Sequence, residues 1–145
     1  MPRHQEKREL PFRPEQLFDL VADIERYPEF IPWCKGARIL ARADNTVTAD
    51  LIIGYKMFHE KFTSTVTLDR PEAISVKYMK GPLAHLTNEW RFEALDDDGC
   101  ELSFEVDFDF RSPLLAGVME MFFEKAISKM AAAFEHRAYA IYEKK

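Results

Sequence analysis

From Ser112 to Lys145 the chain has the pattern of one long amphipathic helix. Ser112 is placed to accept from the first free backbone N–H groups, and Pro113 takes the first helical position, where its missing donor costs nothing. Leu115, Met119, Phe122, Ala126, Met130 and Ala133 recur at helical spacing, flanked by Val118, Phe123, Phe134 and Ile141. Glu120, Glu124, Ser128 and Glu135 fall on the other face. About thirty helical residues extend roughly 45 Å, longer than most globular helices. Such a helix needs a wide apolar partner.

Strand-like runs supply it. Ala37, Ile39 and Ala41 alternate with Arg38 and Arg42, and Asp44-Asn45 turns the chain. Val47, Leu51 and Ile53 carry the next strand, and Phe62, Val66 and Leu68 the one after. Ile74, Val76 and Tyr78 run up to Gly81-Pro82, and Leu86, Asn88, Trp90, Phe92 and Ala94 face away from Glu89, Arg91 and Glu93. In the last run Leu102, Phe104, Val106, Phe108 and Phe110 alternate without a break with acidic and serine residues. Consecutive strands with short turns predict an antiparallel meander, apolar on one face. Ahead of it, Pro14 to Ile24 reads as a short helix with Leu17, Phe18, Val21 and Ile24 on one side; Pro28-Glu29-Phe30-Ile31-Pro32-Trp33 allows only another turn or two. A curved sheet around one helix encloses more volume than the helix fills, so a pocket is expected.

The 145 residues are most simply one domain, 1–145. Net charge is −5, against a general nucleic-acid binder, and no DNA partner is expected. Cys34 and Cys100 lack metal spacing and make no disulfide framework, so both are expected as reduced thiols in a cytoplasmic protein. No apolar run reaches spanning length, and any membrane contact would be peripheral, on the inner face of the membrane. His4, His59, His85 and His136 have no ligand spacing, and no phosphate loop or nucleophile elbow is present; neither metal nor catalytic residue is expected.

The run Leu17-Phe18-Asp19-Leu20-Val21-Ala22-Asp23-Ile24-Glu25-Arg26-Tyr27-Pro28-Glu29-Phe30-Ile31-Pro32-Trp33-Cys34 resembles the signature of the coenzyme Q-binding branch of the START-like superfamily. Gly81-Pro82-Leu83 with Leu86, Trp90-Arg91-Phe92, Phe108-Asp109-Phe110 with Ser112, and Ala133-Phe134-Glu135-His136-Arg137-Ala138 are similar too. The resemblance implies an α+β helix-grip fold: a first strand at Arg3–Leu10, two short helices, and a curved antiparallel sheet of about seven strands around a long C-terminal helix. Arg13 stands where relatives often carry a small hydroxyl cap. The resemblance implies one of two functions: non-enzymatic binding and transport of ubiquinone or another prenylated lipid in support of respiration, with no cofactor, or association with the large ribosomal subunit as a toxin. Polyketide cyclases in related folds keep an enzyme as a third.

The candidate ligand-binding residues are Trp33, Phe62, Tyr78, Trp90 and Phe104, with Phe108, Met119, Phe122 and Met130. Each also serves a plain packing role. Together they suit a flat or chain-like apolar ligand. Lys56, Met57 and Phe58 place apolar side chains at a hairpin tip, where Gly, Asn or Asp is usual, and with Pro82 and Leu83 they form a candidate membrane-facing entrance. Arg137 lies in the apolar arc of the final helix and is expected to snorkel to its C-terminal end.

Overall fold

The computed structural model describes residues 3–55, 58–96 and 98–142, with Tyr55, Phe58 and Val118 described by their backbone alone. The strands are β1 (Arg3–Leu10), β2 (Cys34–Ala43), β3 (Thr46–Tyr55), β4 (Phe58–Asp69), β5 (Ala73–Lys80), β6 (Leu83–Ala94) and β7 (Cys100–Phe110). Helix α1 (Pro14–Ala22) and a 3-10 helix (Ile24–Glu29) lie between β1 and β2, and α2 (Pro113–Ser128) and α3 (Met130–Tyr142) close the chain. All seven strands form one antiparallel sheet in the order β1-β7-β6-β5-β4-β3-β2. It is an α+β helix-grip, START-like fold. The alternation read for β7 holds along its whole length, every second residue being buried.

The sheet curls because its strands carry bulges. The register slips between Cys34 and Gly36, and again between Ile39 and Ala41. It slips where Thr63 and Ser64 meet Lys80 and Tyr78, and between Leu83 and His85. The slip in β2 corrects the simple alternation expected there: Leu40 is the inserted residue and points out, 46% exposed. Gly81 has φ near +150°, and a Cβ there would stand 2.9 Å from the Lys61 carbonyl oxygen, so the β5–β6 turn needs glycine.

At the start of α1, Arg13 offers no cap, but Gln16 Oε1 accepts the Arg13 N–H at 2.9 Å and supplies the returning half of a capping box. Arg70 holds Asp19 with two bonds of 2.8 and 2.9 Å, fastening α1 to the β4–β5 turn.

The single long helix expected from Ser112 onward is two helices. Ser128 Oγ donates to the Lys125 carbonyl at 2.9 Å, and the Lys129 N–H bonds the Ala126 carbonyl instead, so one α-turn is replaced by a tighter one. The residues past Tyr142 lie outside the described ones. Helix α3 is tied down by polar contacts: Arg8 to Glu135 at 2.7 Å, Tyr142 Oη to the Gln16 carbonyl at 3.0 Å, and Arg137 to Glu29 at 2.6 Å. The charged side chains of α2 make no ion pair among the described residues. It rests on the sheet through apolar contacts such as Phe123 against Phe62, Phe108 and Phe110.

Arg137 does not snorkel. It lies over the Phe30 ring, 4.9 Å from its centroid, and its guanidinium pairs with the half-exposed Glu29 carboxylate of the 3-10 helix. The hydrogen bond from Arg137 holds the Glu29 carboxyl below its ordinary range. A depressed carboxyl stabilises the fold above the unfolded-state pKa and loses that contribution as pH falls through the folded value. The melting-temperature gap between the parent and Glu29→Gln should therefore stay small and constant from neutral pH down to the ordinary Glu range, then close below it. A gap that widens in acid would refute the pairing.

Candidate functional site

Between the concave sheet face, the 3-10 segment and helices α2 and α3 lies a cavity of about 170 Å³. It exists because the aromatic packing is dense at one end and loose at the other. Around Phe134 the rings close up: Tyr27, Phe30 and Trp90 meet it edge-on at 5.3, 5.1 and 5.0 Å. Ala131 and Ala138, each almost wholly buried, let α3 approach closely. Towards the other end Leu51, Ile53, Val76, Leu86 and Phe122 line the cavity and are packed against the core yet only partly buried.

Seven of the nine candidate ligand residues line this cavity: Trp33, Phe62, Tyr78, Trp90, Phe104, Phe122 and Met130. Phe108 and Met119 do not. Both point inward as expected, but Phe108 is sandwiched between Phe110 and Phe123 and Met119 is 3% exposed, so they pack against neighbours and leave no space. Of the candidate entrance, Leu83 is corrected: it is 1% exposed, the first buried residue of β6, its N–H given to the Tyr78 hydroxyl at 2.8 Å. Pro82 remains in the turn before it. Lys56 and Met57 lie outside the described residues, as does the side chain of Phe58.

The wall has few polar groups. Ser64 faces inward opposite Ala49 and Tyr78, and its hydroxyl makes no hydrogen bond among the described residues. Asn88, opposite Val76 and Val106, gives one amide hydrogen to the Glu105 carbonyl at 3.0 Å and accepts the Trp90 indole N–H at 2.9 Å, keeping a second hydrogen. A small polar residue between Phe62 and Val66, and another between Leu86 and Trp90, were the sequence signals for these two positions. No Asp, Glu, His, Lys or Arg side chain lines the cavity among the described residues. Its ionisable groups are neutral at pH 7, since burial pushes the Cys34 thiol up to about 11 and the Tyr27 phenol higher still. Among the described residues no cluster of His, Cys, Asp and Glu is arranged to hold a metal, and no helix is long and apolar enough to cross a membrane.

The profile of the family described as "Polyketide cyclase / dehydrase and lipid transport" matches residues 10–135. The chain belongs to that family. It is 32% identical to "Ribosome association toxin RatA" of Pseudomonas aeruginosa over 133 residues, 92% of each chain. It is also 32% identical to "Coenzyme Q-binding protein COQ10 homolog B, mitochondrial" of Xenopus laevis, over 96% of this chain and 59% of that one. Among solved structures, the 18 kDa protein CC1736 from Caulobacter crescentus shares 36% identity with a TM-score of 0.76, covering 99% of this chain and all of that one. The Zhui aromatase/cyclase from Streptomyces sp. R1128 superposes with a TM-score of 0.83, covering 94% of this chain and 93% of that one; at 19% identity it speaks for the fold alone.

Proposed function

We propose that the protein binds a lipophilic ligand without chemistry of its own, and that the ligand is a prenylated quinone of the ubiquinone type. The carrying observation is the wall: mostly apolar, uncharged, with spare hydrogen-bond donors at Ser64 and Asn88. Such a wall matches a body of rings and methyl groups bearing neutral acceptors such as quinone and methoxy oxygens. Buried apolar surface supplies affinity at about 0.8 kcal/mol per CH₂, and the donors orient the head. The likeness to the coenzyme Q-binding protein of Xenopus laevis supports the same ligand class.

The cavity is smaller than the roughly 300–1,000 Å³ that encloses a drug-sized ligand. Loading therefore requires a wall to yield, and the best candidate is α2, whose charged side chains make no ion pair among the described residues and which is broken from α3 at Lys129. A cyclase or dehydrase would need an acid–base side chain on the wall to move protons; among the described residues the cavity offers no carboxylate or imidazole, only Tyr27, Tyr78 and Cys34, each pushed further from ionisation by burial. Extraction of the purified protein with organic solvent should yield a prenylated quinone, and the emptied protein should take up ubiquinone from vesicles. Failure of both overturns the reading.

The second reading, association with the large ribosomal subunit, is favoured by the likeness over 92% of both chains to the Pseudomonas aeruginosa toxin. It predicts co-sedimentation with that subunit, weakening steeply with salt as phosphate contacts are lost. A gradient profile unchanged on overexpression removes it.

A further inference from the structure

Two polar side chains reach the cavity from the strands on either side of β5. Ser64 on β4 stands opposite Tyr78, and Asn88 on β6 stands opposite Val76, two residues away along β5. Two strand spacings and that offset put their backbones on the order of 12 Å apart. A flat ring with an oxygen at each end, and a hydrogen bond of about 3 Å at each oxygen, spans a gap of that order.

Asn88 is fixed in one orientation. The Trp90 indole N–H can only donate, and it meets Asn88 at 2.9 Å, so the amide oxygen faces it. The Glu105 carbonyl can only accept, and it takes one amide hydrogen at 3.0 Å. Turning the amide over would orphan the indole of a side chain only 3% exposed, and would set the amide oxygen against the Glu105 carbonyl. The amide therefore keeps a spare hydrogen that it cannot exchange for an acceptor. Trp90 is its positioning residue. Ser64 differs, since a hydroxyl can turn to give or to take. The other polar groups of the wall are engaged with backbone: Tyr27 donates to the Val21 carbonyl, the Cys34 thiol to the Gly36 carbonyl, and Tyr78 accepts the Leu83 N–H.

A benzoquinone head asks only for donors, because its two carbonyl oxygens accept and it has no hydrogen to give. Two electrons and two protons turn both carbonyls into hydroxyls, and the quinol then asks for two acceptors. The outline of the ring hardly changes, so shape does not separate the two forms. The hydrogen bonds do. Ser64 can turn and accept one hydroxyl, whereas the other meets a fixed donor at Asn88, whose amide oxygen already holds the indole. A hydroxyl hydrogen poorly matched in an apolar site weakens binding on the order of tenfold.

We propose that the cavity selects the oxidised quinone over the quinol, and that Asn88, held by Trp90, is the selecting residue. The proposal rests on the quinone reading and deepens it from ligand class to oxidation state. A carrier with this preference loads the product of a quinol-oxidising reaction and leaves the quinol behind.

The test is equilibrium dialysis of the whole protein, under nitrogen, against a short-tailed benzoquinone of the ubiquinone type and against the same compound reduced with borohydride. The parent should bind the quinone about tenfold tighter, which lowers the midpoint potential of the bound couple by about 30 mV. Asn88→Leu should weaken the quinone about tenfold and the quinol little, so that the ratio falls to near one. That change orphans the indole, so Asn88→Leu with Trp90→Phe, which removes both partners, is read beside it for the same fall in ratio. Ser64→Ala should weaken both forms and keep the ratio. Equal affinity of the parent for the two forms, or tighter binding of the quinol, overturns the proposal and leaves the quinone reading standing; binding of neither form overturns both. A preference that survives in the two Asn88 variants, or that vanishes in Ser64→Ala, also overturns it.

Discussion

Replacing Phe134 by Ala should lower the unfolding free energy by about 3–5 kcal/mol, the range for a fully buried ring. Phe134 is 2% exposed and is the ring on which Tyr27, Phe30 and Trp90 converge, so its removal strips away the ring contacts between α3 and both the 3-10 segment and the sheet. The surroundings cannot collapse into the gap, because the 3-10 segment is held by Tyr27 donating to the Val21 carbonyl and by Glu29 pairing with Arg137. Phe122→Ala is the matched control. That ring lines the open part of the cavity and is partly exposed, so its loss should cost under about 2 kcal/mol. Urea unfolding of both variants checks the contrast. Equal costs would mean that the closed and open ends of the cavity are packed alike.

The same contrast explains which parts of the site were readable from residue patterns. Alternation fixes the face on which a strand residue points, and Phe104, Phe108 and Trp90 all point inward as it requires. It does not tell whether an inward side chain meets space or another side chain. Phe108 and Met119 satisfy the pattern as well as Phe62 and Met130 do, yet only the latter two face the cavity. That difference depends on where bulges bend the strands, and bulges at Lys35, Leu40 and Met79 leave no mark in periodicity. The break at Lys129 is hidden for a related reason. A serine in a helix is ordinary, and only the geometry shows its hydroxyl taking the Lys125 carbonyl. Arg137 illustrates the limit of helical angle: its position in the apolar arc was plain, but its partner Glu29 is 108 residues away. Leu83 shows the same limit for loops, since a residue beside Gly-Pro looks like rim until the turn folds it beneath Tyr78.

Replacing Val76 by Phe should weaken quinone binding on the order of a hundredfold while leaving the fold as stable as before or more so. Val76 sits on a central strand, opposite Val66 and Asn88, and its partly buried side chain lines the cavity. A ring in place of its methyl groups occupies volume equal to roughly four ligand carbons, about 3 kcal/mol of lost burial, or on the order of a hundredfold in affinity. Filling a void adds contacts, so stability should hold or rise by up to about 2 kcal/mol. The opposite signs give the test its force. If the space is a ligand site, titration of a short-tailed benzoquinone weakens while the melting temperature is kept. A variant that still binds would move the ligand outside this cavity. A variant that loses stability as well would mean that α2 already packs against the strands in solution and that no room exists there to fill. On the ribosome reading the cavity is structural, and the same variant should co-sediment with the large subunit as the parent does. One substitution on one strand thus separates the two functions that the family resemblance leaves side by side.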